Sequence, residues 1–583
     1  MYFILNKNFL AMVRLLSNCF FFLLSGVIFA QSTIDVTILG DGKVTSSPTG
    51  IDCRGCNTGA SLTYYVSDNG SDNNDGLTTN TPFQTFEYAF EKMRPGDNLE
   101  YLQGKKWYVS PNGNDNNDGL SRNTPFQTFN KLWTLANTAD RSGPGDILQR
   151  GDIIILLDGF YRQTLAPNWY MNPAHNGGDT YRGDYLYIKA ENDGKAIIDG
   201  EGVRDVICLI NDEWAGYNNL VIDGLIARNG MREVAGSHSV VTVYGQNNII
   251  RRVSAYNADP DDNNFLILAG EGSNNNLFVD CIAYGVGRIG LVTYKCQNTT
   301  FRRCFSMVTR WDGRNDHNRW PWQESAKIYN SSNCIMGNCI GYGMSSSANF
   351  TLLARNGWTA DNNGFYGLMS VYSEKNTELT KLNPPLIGWK TIRPQPSLKV
   401  ATHVRDMDNN PSGRLGFIVQ GPDLISNSIM KDIFSFGNGG RGIAIVRHDQ
   451  FAPQLRNLSI ENATFKNNGV FPVDLQHLFY TGDTGTSMIQ EDINEIVNTG
   501  GHVTNSFIDT VYNNNNTWGN RTDDSWYTMT GTGARLDHRY LNGTLTNKPL
   551  WPWPMDDRAQ AELGFVIKSR SKIFSLFKNC VPT

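Results

Sequence analysis

The sequence has few charged residues for its length. Asp, Glu, Lys and Arg make up 18% of the 583 residues, and the formal net charge is −5. A chain without a basic excess has no electrostatic reason to bind nucleic acid, so we expect no nucleic-acid partner. The 57 glycines, together with abundant asparagine, predict many turns rather than long surface helices.

The sequence also lacks long apolar runs after its first thirty residues. The apolar run over residues 20–30 follows Lys7 and Arg14 and is too short to span a membrane. We therefore predict a signal peptide over residues 1–30, with cleavage after Ala30. The mature protein is expected to be a soluble monomer that is secreted to the extracellular space, the periplasm or the cell surface.

Several familiar site motifs are missing from the sequence, among them GxSxG, HExxH and the P-loop. The pattern GxGxxG occurs within residues 437–442, but not at a strand–helix junction, so no nucleotide cofactor is expected. Cys53 and Cys56 form a CxxC without a second pair at zinc-finger spacing. This favours a local disulfide or two unpaired thiols over a zinc site.

What the sequence does contain is a duplicated opening motif. Residues 64–86 and 107–129 agree at 18 of 23 positions, 43 residues apart. Both copies carry DNNDG, which is typical of turns held by side-chain to backbone hydrogen bonds. An EF-hand is excluded, because loop position twelve is Pro125 where a bidentate Glu is needed. Since a shortened continuation follows the first copy, we interpret it as a spare duplicate.

The body of the chain repeats more loosely. An Asn is followed three residues on by a large apolar residue and six on by a small or apolar one. The marker residues are Asn218, Asn247, Asn275, Asn298, Asn333, Asn427, Asn457 and Asn505. The third-along residues are Val221, Ile250, Phe278, Phe301, Met336, Met430, Ile460 and Ile508. Short β-type segments that recur with these Asn markers, without helical patterns between them, indicate a solenoid.

The solenoid that fits these repeats is a right-handed parallel β-helix, an all-β fold of stacked coils. Equivalent positions then form columns, and two are predicted. Cys281, Cys304 and Cys339 would form a buried stack of thiols, and Tyr244, Tyr294 and Tyr329 an aromatic column. We predict a small β-rich leader over 31–106, the β-helix over 107–545, and a C-terminal cap and tail over 546–583.

The opening motif of residues 108–129, followed by GDIIILLDGFYR (151–162) and Asn-marked repeats, resembles secreted pectate-lyase-like β-helix proteins. That superfamily includes pectate and alginate lyases, chondroitinase B-like lyases and mannuronan epimerases. The resemblance covers about residues 107–515 and implies the fold and export. Some relatives place an Asp cluster for Ca²⁺ beside a Lys or Arg base. The sequence has no full match to those motifs, so no family residue is transferred.

One repeat carries an insertion rich in charge and tryptophan. The spacing from Asn298 to Asn333 is 35 residues, against 23 for the preceding repeat. We expect the extra residues to form a surface loop, where functional residues concentrate. An ordinary solvated loop with internal salt bridges is the alternative.

The composition of this loop suits an acidic glycan. β-Elimination of a uronide needs a base and positive charge that neutralises the carboxylate. Our candidate bases are Lys327 and His317, and our candidate neutralisers are Arg310 and Arg314. Lys295, one coil earlier, could approach them. Trp311, Trp320, Trp322 and Arg319 would bind the sugar. Glu324, with Asp312 and Asp316, could instead supply an acid/base pair for hydrolysis.

A second polar cluster precedes the insertion. Asp259, Asp261 and Asp262 could bind Ca²⁺ through hard oxygen ligands, although a plain turn is the favoured interpretation. The leading hypothesis is a polysaccharide lyase acting on an acidic glycan. The alternatives are a non-catalytic glycan-binding or cell-surface protein and a glycoside hydrolase. Convergence of Lys295, Arg310, His317, Glu324 and Lys327 in one cleft would favour an enzyme.

Overall fold

The computed structural model divides the chain into two compact units, residues 1–60 and 61–583. It describes residues 35–38, 44–47, 61–94, 96–135, 148–166, 184–210, 216–230, 239–258, 265–310, 324–342, 348–371, 415–436, 438, 441–446, 452–466, 468, 488–508, 511–512, 518–519, 536, 538–550, 553–555, 558–559 and 562. In the first unit, strands β1 (Asp35–Ile38) and β2 (Val44–Ser47) pair antiparallel.

The second unit is built from three long parallel sheets, which we call faces 1, 2 and 3. Face 1 contains β5 (Lys106–Val109), β6 (Ile153–Leu156), β8 (Leu186–Ala190), β11 (Leu220–Asp223), β14 (Ile249–Arg251), β17 (Leu277–Val279), β20 (Thr300–Arg302), β23 (Ile335–Gly337), β27 (Gly364–Tyr366), β31 (Ile429–Lys431), β35 (Ser459–Glu461) and β38 (His502–Thr504).

Face 2 contains β7 (Gly159–Tyr161), β9 (Ala196–Asp199), β12 (Ile226–Arg228), β15 (Ser254–Tyr256), β18 (Ile282–Val286), β21 (Phe305–Arg310), β24 (Ile340–Tyr342), β28 (Met369–Val371), β32 (Phe434–Phe436), β36 (Thr464–Lys466) and β39 (Phe507–Ile508). Face 3 contains β10 (Ile207–Leu209), β13 (Ser239–Val243), β16 (Phe265–Ala269), β19 (Ile289–Tyr294), β22 (Glu324–Tyr329), β25 (Ala348–Leu353), β29 (Leu415–Gln420) and β33 (Ile443–Ile445).

From β8 to β33, successive turns of the coil pass from face 1 to face 2 to face 3. Consecutive turns pair in parallel register, as in β11 with β14 and β14 with β17. The predicted right-handed parallel β-helix is therefore confirmed. The remaining strands are β3 (Thr63–Val66), β4 (Asn98–Tyr101), β26 (Ala360–Asp361), β30 (Leu424–Ser426), β34 (Gln454–Arg456), β37 (Met488–Ile489), β40 (Val511–Tyr512), β41 (Trp518–Gly519), β42 (His538–Leu541) and β43 (Thr544–Pro549). The helices are α1 (Phe86–Lys92), α2 (Phe129–Thr134) and α3 (Gln490–Asn498).

The interior of the coil is filled by columns of equivalent side chains. The face 1 column runs through Ile222, Ile250, Phe278, Phe301, Met336, Phe365, Met430, Ile460 and Val503. Phe278 and Phe301 stack with their ring centroids 4.4 Å apart. Each such side chain contributes about 1.5–3 kcal/mol through burial, so stacking of turns is the main source of stability.

The Asn markers lie where the backbone needs a left-handed residue. Asn247, Asn275, Asn298 and Asn333 have φ between 53° and 57°, a conformation that Asn tolerates better than most residues. Side chains in this turn also bond along the stack, for example Asn298 Nδ2 to Asn275 Oδ1 at 3.1 Å. The marker residues therefore stabilise the stack through their side chains as well as through their backbone conformation.

Three details of the predicted repeat are wrong. The left-handed residue of the first marked turn is Asn219 and not Asn218, so Ile222 and not Val221 joins the inner column. A turn at Asn362 was missed, although it fits the pattern. Asn505 occupies a left-handed turn that lies five residues after the one at Gly500. Ile508 consequently pairs in face 2 and not in face 1.

Both predicted side-chain columns are present. Cys281, Cys304 and Cys339 are fully buried free thiols, which confirms the stack. Tyr294 and Tyr329 contact each other at 4.9 Å between ring centroids. The Tyr244 ring lies over Gly270, where a Cβ would come within 2.2 Å of it. The aromatic column therefore depends on the absence of a side chain at Gly270.

The two opening motifs occupy different places. Residues 107–133 belong to the core of the coil and close its first turn, since β5 is the edge strand of face 1. Residues 64–101 instead pack on the outside of face 1, against residues such as Tyr187, Val221 and Ile249. The first copy is a lateral module rather than a spare duplicate.

The C-terminal segment follows a different course from the predicted cap over the open end. Leu550, Trp553 and Met555 pack on the outer side of face 2, against residues such as Ile282 and Phe305. Arg558 contacts Asp193 at 3.2 Å and donates to the Leu225 carbonyl oxygen at 3.2 Å. The described part of the segment thus runs back along the coil toward its first turns.

Candidate functional site

The predicted residues that the structure describes lie on or beside the outer side of face 3. Along β22, Ala326 and Ile328 point into the core, which directs Lys327 and Tyr329 outward. Glu324 lies at the start of the same strand, three residues before Lys327. Strict alternation would turn Glu324 inward with Ala326 and Ile328. Its carboxylate nevertheless lies on the outer side, where it meets Lys327 and Thr351.

Glu324 and Lys327 form an ion pair, which we call the buried pair. Lys327 Nζ lies 2.8 Å from Glu324 Oε2, and the two side chains are 4% and 0% exposed. Thr351 Oγ1 donates to Glu324 Oε1 at 2.9 Å. The Gln420 side chain lies 3.5 Å from the same oxygen. The carboxylate is thus held by donors from three consecutive turns of face 3.

Burial determines the direction in which the pKa of Lys327 is shifted. Desolvation lowers the pKa of Lys327, and the Glu324 carboxylate offsets only part of that effect. The buried guanidinium of Arg288, one turn earlier, adds positive charge that lowers the pKa of Lys327 further. A lysine with a lowered pKa holds a neutral amine at lower pH than usual, as general-base chemistry requires.

An exposed group, which we call the rim, lies at the corner between faces 3 and 1. Lys295 Nζ pairs with Glu271 Oε2 at 2.9 Å and lies 4.7 Å from the ring centroid of Trp358. Trp358 is 41% exposed. Slight burial lowers the pKa of Lys295, but the hydrogen bond that Lys295 donates to Glu271 outweighs it and the net pKa is raised. Lys295 is therefore a lasting positive charge beside an accessible flat ring.

Two tyrosines connect the buried pair to the rim. Lys327 Nζ lies 5.1 Å from the Tyr329 ring centroid, and Tyr329 contacts Tyr294. Lys295 Nζ in turn lies 5.2 Å from the Tyr294 ring centroid. Lys295, Glu324 and Lys327 thus belong to one connected group of side chains.

The other predicted site residues are not placed by the structure. Arg310 ends β21 on face 2, but its side chain falls outside the described residues. The remaining candidates also lie outside them: Trp311, Asp312, Arg314, Asp316, His317, Arg319, Trp320, Trp322, Asp259, Asp261 and Asp262. Their roles stay predictions.

The sequence reasoning missed several members of the site. Trp358 follows β25 in a tight turn with left-handed backbone at Asn356 and Gly357. The signal available in the sequence was a Trp directly after an Asn-Gly turn. Arg288 and Thr351 carried no signal in the sequence, because only the stacking of turns brings them to Glu324.

Within the part of the chain that the structure describes, no group of three or more His, Cys, Asp or Glu side chains could hold a metal ion. The predicted Ca²⁺ site falls outside those residues and remains a prediction. The described helices include none that is long and apolar enough to cross a membrane.

Fold and site together define a parallel β-helix protein with a buried lysine–glutamate pair beneath an exposed cation–aromatic rim. No family model and no curated relative matches the sequence. Among solved structures, the chain is similar to a pectate lyase at 14% identity and a TM-score of 0.38, covering 77% of this chain and 89% of that one.

A rhamnogalacturonan lyase gives 14% identity and a TM-score of 0.36, over 79% of this chain and 98% of that one. An alginate lyase is 11% identical with a TM-score of 0.35, and the match covers 73% of this chain and 55% of that one. The predicted resemblance to pectate-lyase-like proteins holds for the fold, because the stacked parallel sheets themselves are a β-helix.

Proposed function

We propose that the protein is an exported polysaccharide lyase that cleaves a uronate-containing glycan by β-elimination on the outer side of face 3. The observation that supports the proposal is the connected group from Lys327 through Tyr329 and Tyr294 to Lys295. It combines an amine of lowered pKa with a lasting positive charge. These are the two functions that β-elimination requires.

The roles follow from the surroundings of each side chain. Trp358 offers its exposed ring to a sugar, and Lys295 pairs with the uronate carboxylate as the enolate develops. Lys327 accepts the C5 proton, and Glu324 stabilises the resulting ammonium.

A non-catalytic glycan-binding protein is the second candidate. It is favoured by the burial of Lys327, which is 3% exposed, while Lys295 and Trp358 lie at the surface. A glycoside hydrolase needs two opposed carboxylates. Glu324 and Glu271 are the carboxylates of the described site, and each is paired with a lysine, which makes this the third candidate.

The test is an activity assay of the chain without residues 1–30 on a panel of polyuronates and sulfated glycans, with and without Ca²⁺. The ultraviolet absorbance of the unsaturated product is followed beside a reducing-end assay. We expect Lys327→Ala to lower the rate by about 10²–10⁴-fold, the usual contribution of a general base. Lys106→Ala is the control, because Lys106 in β5 of face 1 also forms an ion pair with a glutamate, Glu100 of β4, away from face 3.

Each other outcome assigns a different function. An unchanged rate in Lys327→Ala would remove the buried pair from catalysis. Reducing ends without absorbance would show hydrolysis and direct attention to the carboxylates. Glycan binding that is lost in Trp358→Ala, without turnover of any substrate, would favour the binding protein.

A further inference from the structure

A serine, a histidine and a glutamate meet on the outer side of face 1, near the last turns of the coil. Ser459 and Glu461 flank Ile460 in β35, and Ile460 fills the core, so both polar side chains point outward. His502 in β38 lies directly opposite Ser459 in the parallel register. Two adjacent strands therefore bring three chemically complementary side chains together.

His502 bridges the other two side chains through its two ring nitrogens. His502 Nδ1 lies 3.2 Å from Ser459 Oγ, and His502 Nε2 lies 3.1 Å from Glu461 Oε1. Because a carboxylate only accepts, Glu461 keeps the imidazole hydrogen on Nε2. Nδ1 is then left with its lone pair facing the serine hydroxyl, the tautomer that a general base needs.

Glu461 is fixed by a second neighbour. Lys431, one turn earlier on face 1, pairs with Glu461 Oε2 at 2.8 Å. Partial burial raises the pKa of Glu461, but the hydrogen bonds from Lys431 and His502 outweigh it and the net pKa is lowered. The carboxylate therefore stays ionised and holds the histidine. The group faces solvent, since Ser459 is half-buried and the His502 side chain is 47% exposed.

We propose that Ser459, His502 and Glu461 form a hydrolytic triad that cleaves acyl esters. The nucleophile, its base and the group orienting the base have the mutual reach that covalent catalysis requires. The site lies on face 1, whereas the buried pair lies on face 3. The inference therefore does not depend on the proposed lyase activity.

The reaction balances with water as the only co-reactant. Ser459 Oγ attacks the ester carbonyl carbon while its proton passes to His502 Nδ1. The bond between that carbon and the alcohol oxygen breaks, and the alcohol leaves with the proton from Nδ1. Water then gives a proton to Nδ1 and attacks the acyl-serine. The carboxylic acid departs and Ser459 regains its proton.

The setting of the triad indicates the substrate class. The three side chains stand on the outer side of a sheet face rather than deep in the core, and Glu461 lies between the half-buried Lys431 and Thr504. Such a surface accepts a short acyl group carried by a large molecule that lies along the coil. With the glycan of the proposed function as the carrier, that ester is an acetyl group on a sugar hydroxyl, and only this choice of carrier rests on that proposal.

The experiment treats the full mature chain with a fluorophosphonate probe and follows hydrolysis of p-nitrophenyl acetate. We expect the probe to label the peptide that contains Ser459. Ser459→Ala should abolish labelling and reduce hydrolysis to the buffer rate, and His502→Gln should do the same. Thr504→Ala, an outward-facing neighbour on β38, is the control and should keep both signals.

Glu461 acts as a positioning residue and needs its own readout. Glu461→Gln should slow labelling at least tenfold and change the pH profile of hydrolysis, because the tautomer is no longer fixed. Glu461→Asp should restore part of the rate. Absence of Ser459 labelling, or hydrolysis that is equal in Ser459→Ala and the parent chain, would show that these side chains are only a surface hydrogen-bond ladder.

Discussion

The two copies of the opening motif share one local structure and serve two different purposes. In the first copy, Tyr65 N donates to the Gly76 carbonyl at 2.8 Å, and in the second, Tyr108 N donates to that of Gly119 at 2.8 Å. Phe83 and Phe126 each fill the space over these glycines. Near-identical sequence has thus produced near-identical turns, although one copy closes the coil and the other covers its side.

The difference between the copies lies in their helices. Helix α1 carries Glu87 and Glu91, and the equivalent positions of α2 are Asn130 and Thr134. Glu91 reaches the buried Arg302 and Arg303 of face 1 at 3.1 and 2.7 Å. A few substitutions on one helix face therefore convert an end cap into a docked lateral module.

The largest expected effect comes from removing the same ring in each copy. Phe126→Ala and Phe83→Ala should each cost about 3–5 kcal/mol locally, because both rings are fully buried. Phe126 belongs to the continuous core of the coil, so its loss should raise amide hydrogen exchange in β6 and β8. Phe83→Ala should raise exchange in residues 61–102 alone, and identical exchange maps would contradict the comparison.

The second expected effect tests the docking charges. Glu91→Ala leaves the fully buried Arg302 and Arg303 short of a counter-charge, which should cost about 3 kcal/mol. Thr134→Ala, at the equivalent position of the second copy, should stay within about 0.5 kcal/mol. Urea unfolding measures both, and limited proteolysis should cut within residues 61–102 in Glu91→Ala only. Equal unfolding midpoints would mean that the apolar contacts alone hold the module.

Acid should weaken the first copy in the same way. Burial raises the pKa of Glu91, but Arg303 and Arg302 outweigh it and lower the pKa to about 2. In the unfolded chain the pKa of a glutamate is about 4.3. The difference between the two pKa values contributes about 3 kcal/mol to the free energy of unfolding. This contribution is fully present above about pH 4.3 and is lost as the pH falls to about 2. The urea midpoint should therefore drop between pH 5 and pH 2.5, and less steeply in Glu91→Gln.

Features that recur in every coil could be predicted from the sequence, whereas contacts that occur at a single place in the fold could not. Asn and Cys columns were visible because stacking puts equivalent residues above one another, as for Cys281, Cys304 and Cys339. The path of Arg558 along face 2 and the docking of α1 on face 1 had no periodic signal. At the candidate site, Lys327 was predicted from the composition of its segment. Trp358 was missed, because its turn lies two coils away from Lys295 along the chain and only the stacking of coils brings the two side chains together.

The smallest expected effect should be the same in both copies. Asp72 Oδ1 accepts from Gln84 N and Thr85 N at 3.0 Å, and Asp115 Oδ1 accepts from two equivalent amides at 2.9 Å. In each copy the second carboxylate oxygen accepts from the threonine that caps the following helix, at 2.8 Å. The two aspartates therefore hold equivalent turns.

Replacing either aspartate by asparagine keeps one acceptor and turns the other into a donor. Each variant should lose about 1–2 kcal/mol, the cost of one charge-assisted hydrogen bond. Exchange rates of the amides at Thr85 and Thr128 measure the two losses separately. Equal losses would show that the turn is a property of the motif itself. A larger loss for Asp115→Asn would show that the end of the coil depends on its turn more than the lateral module does.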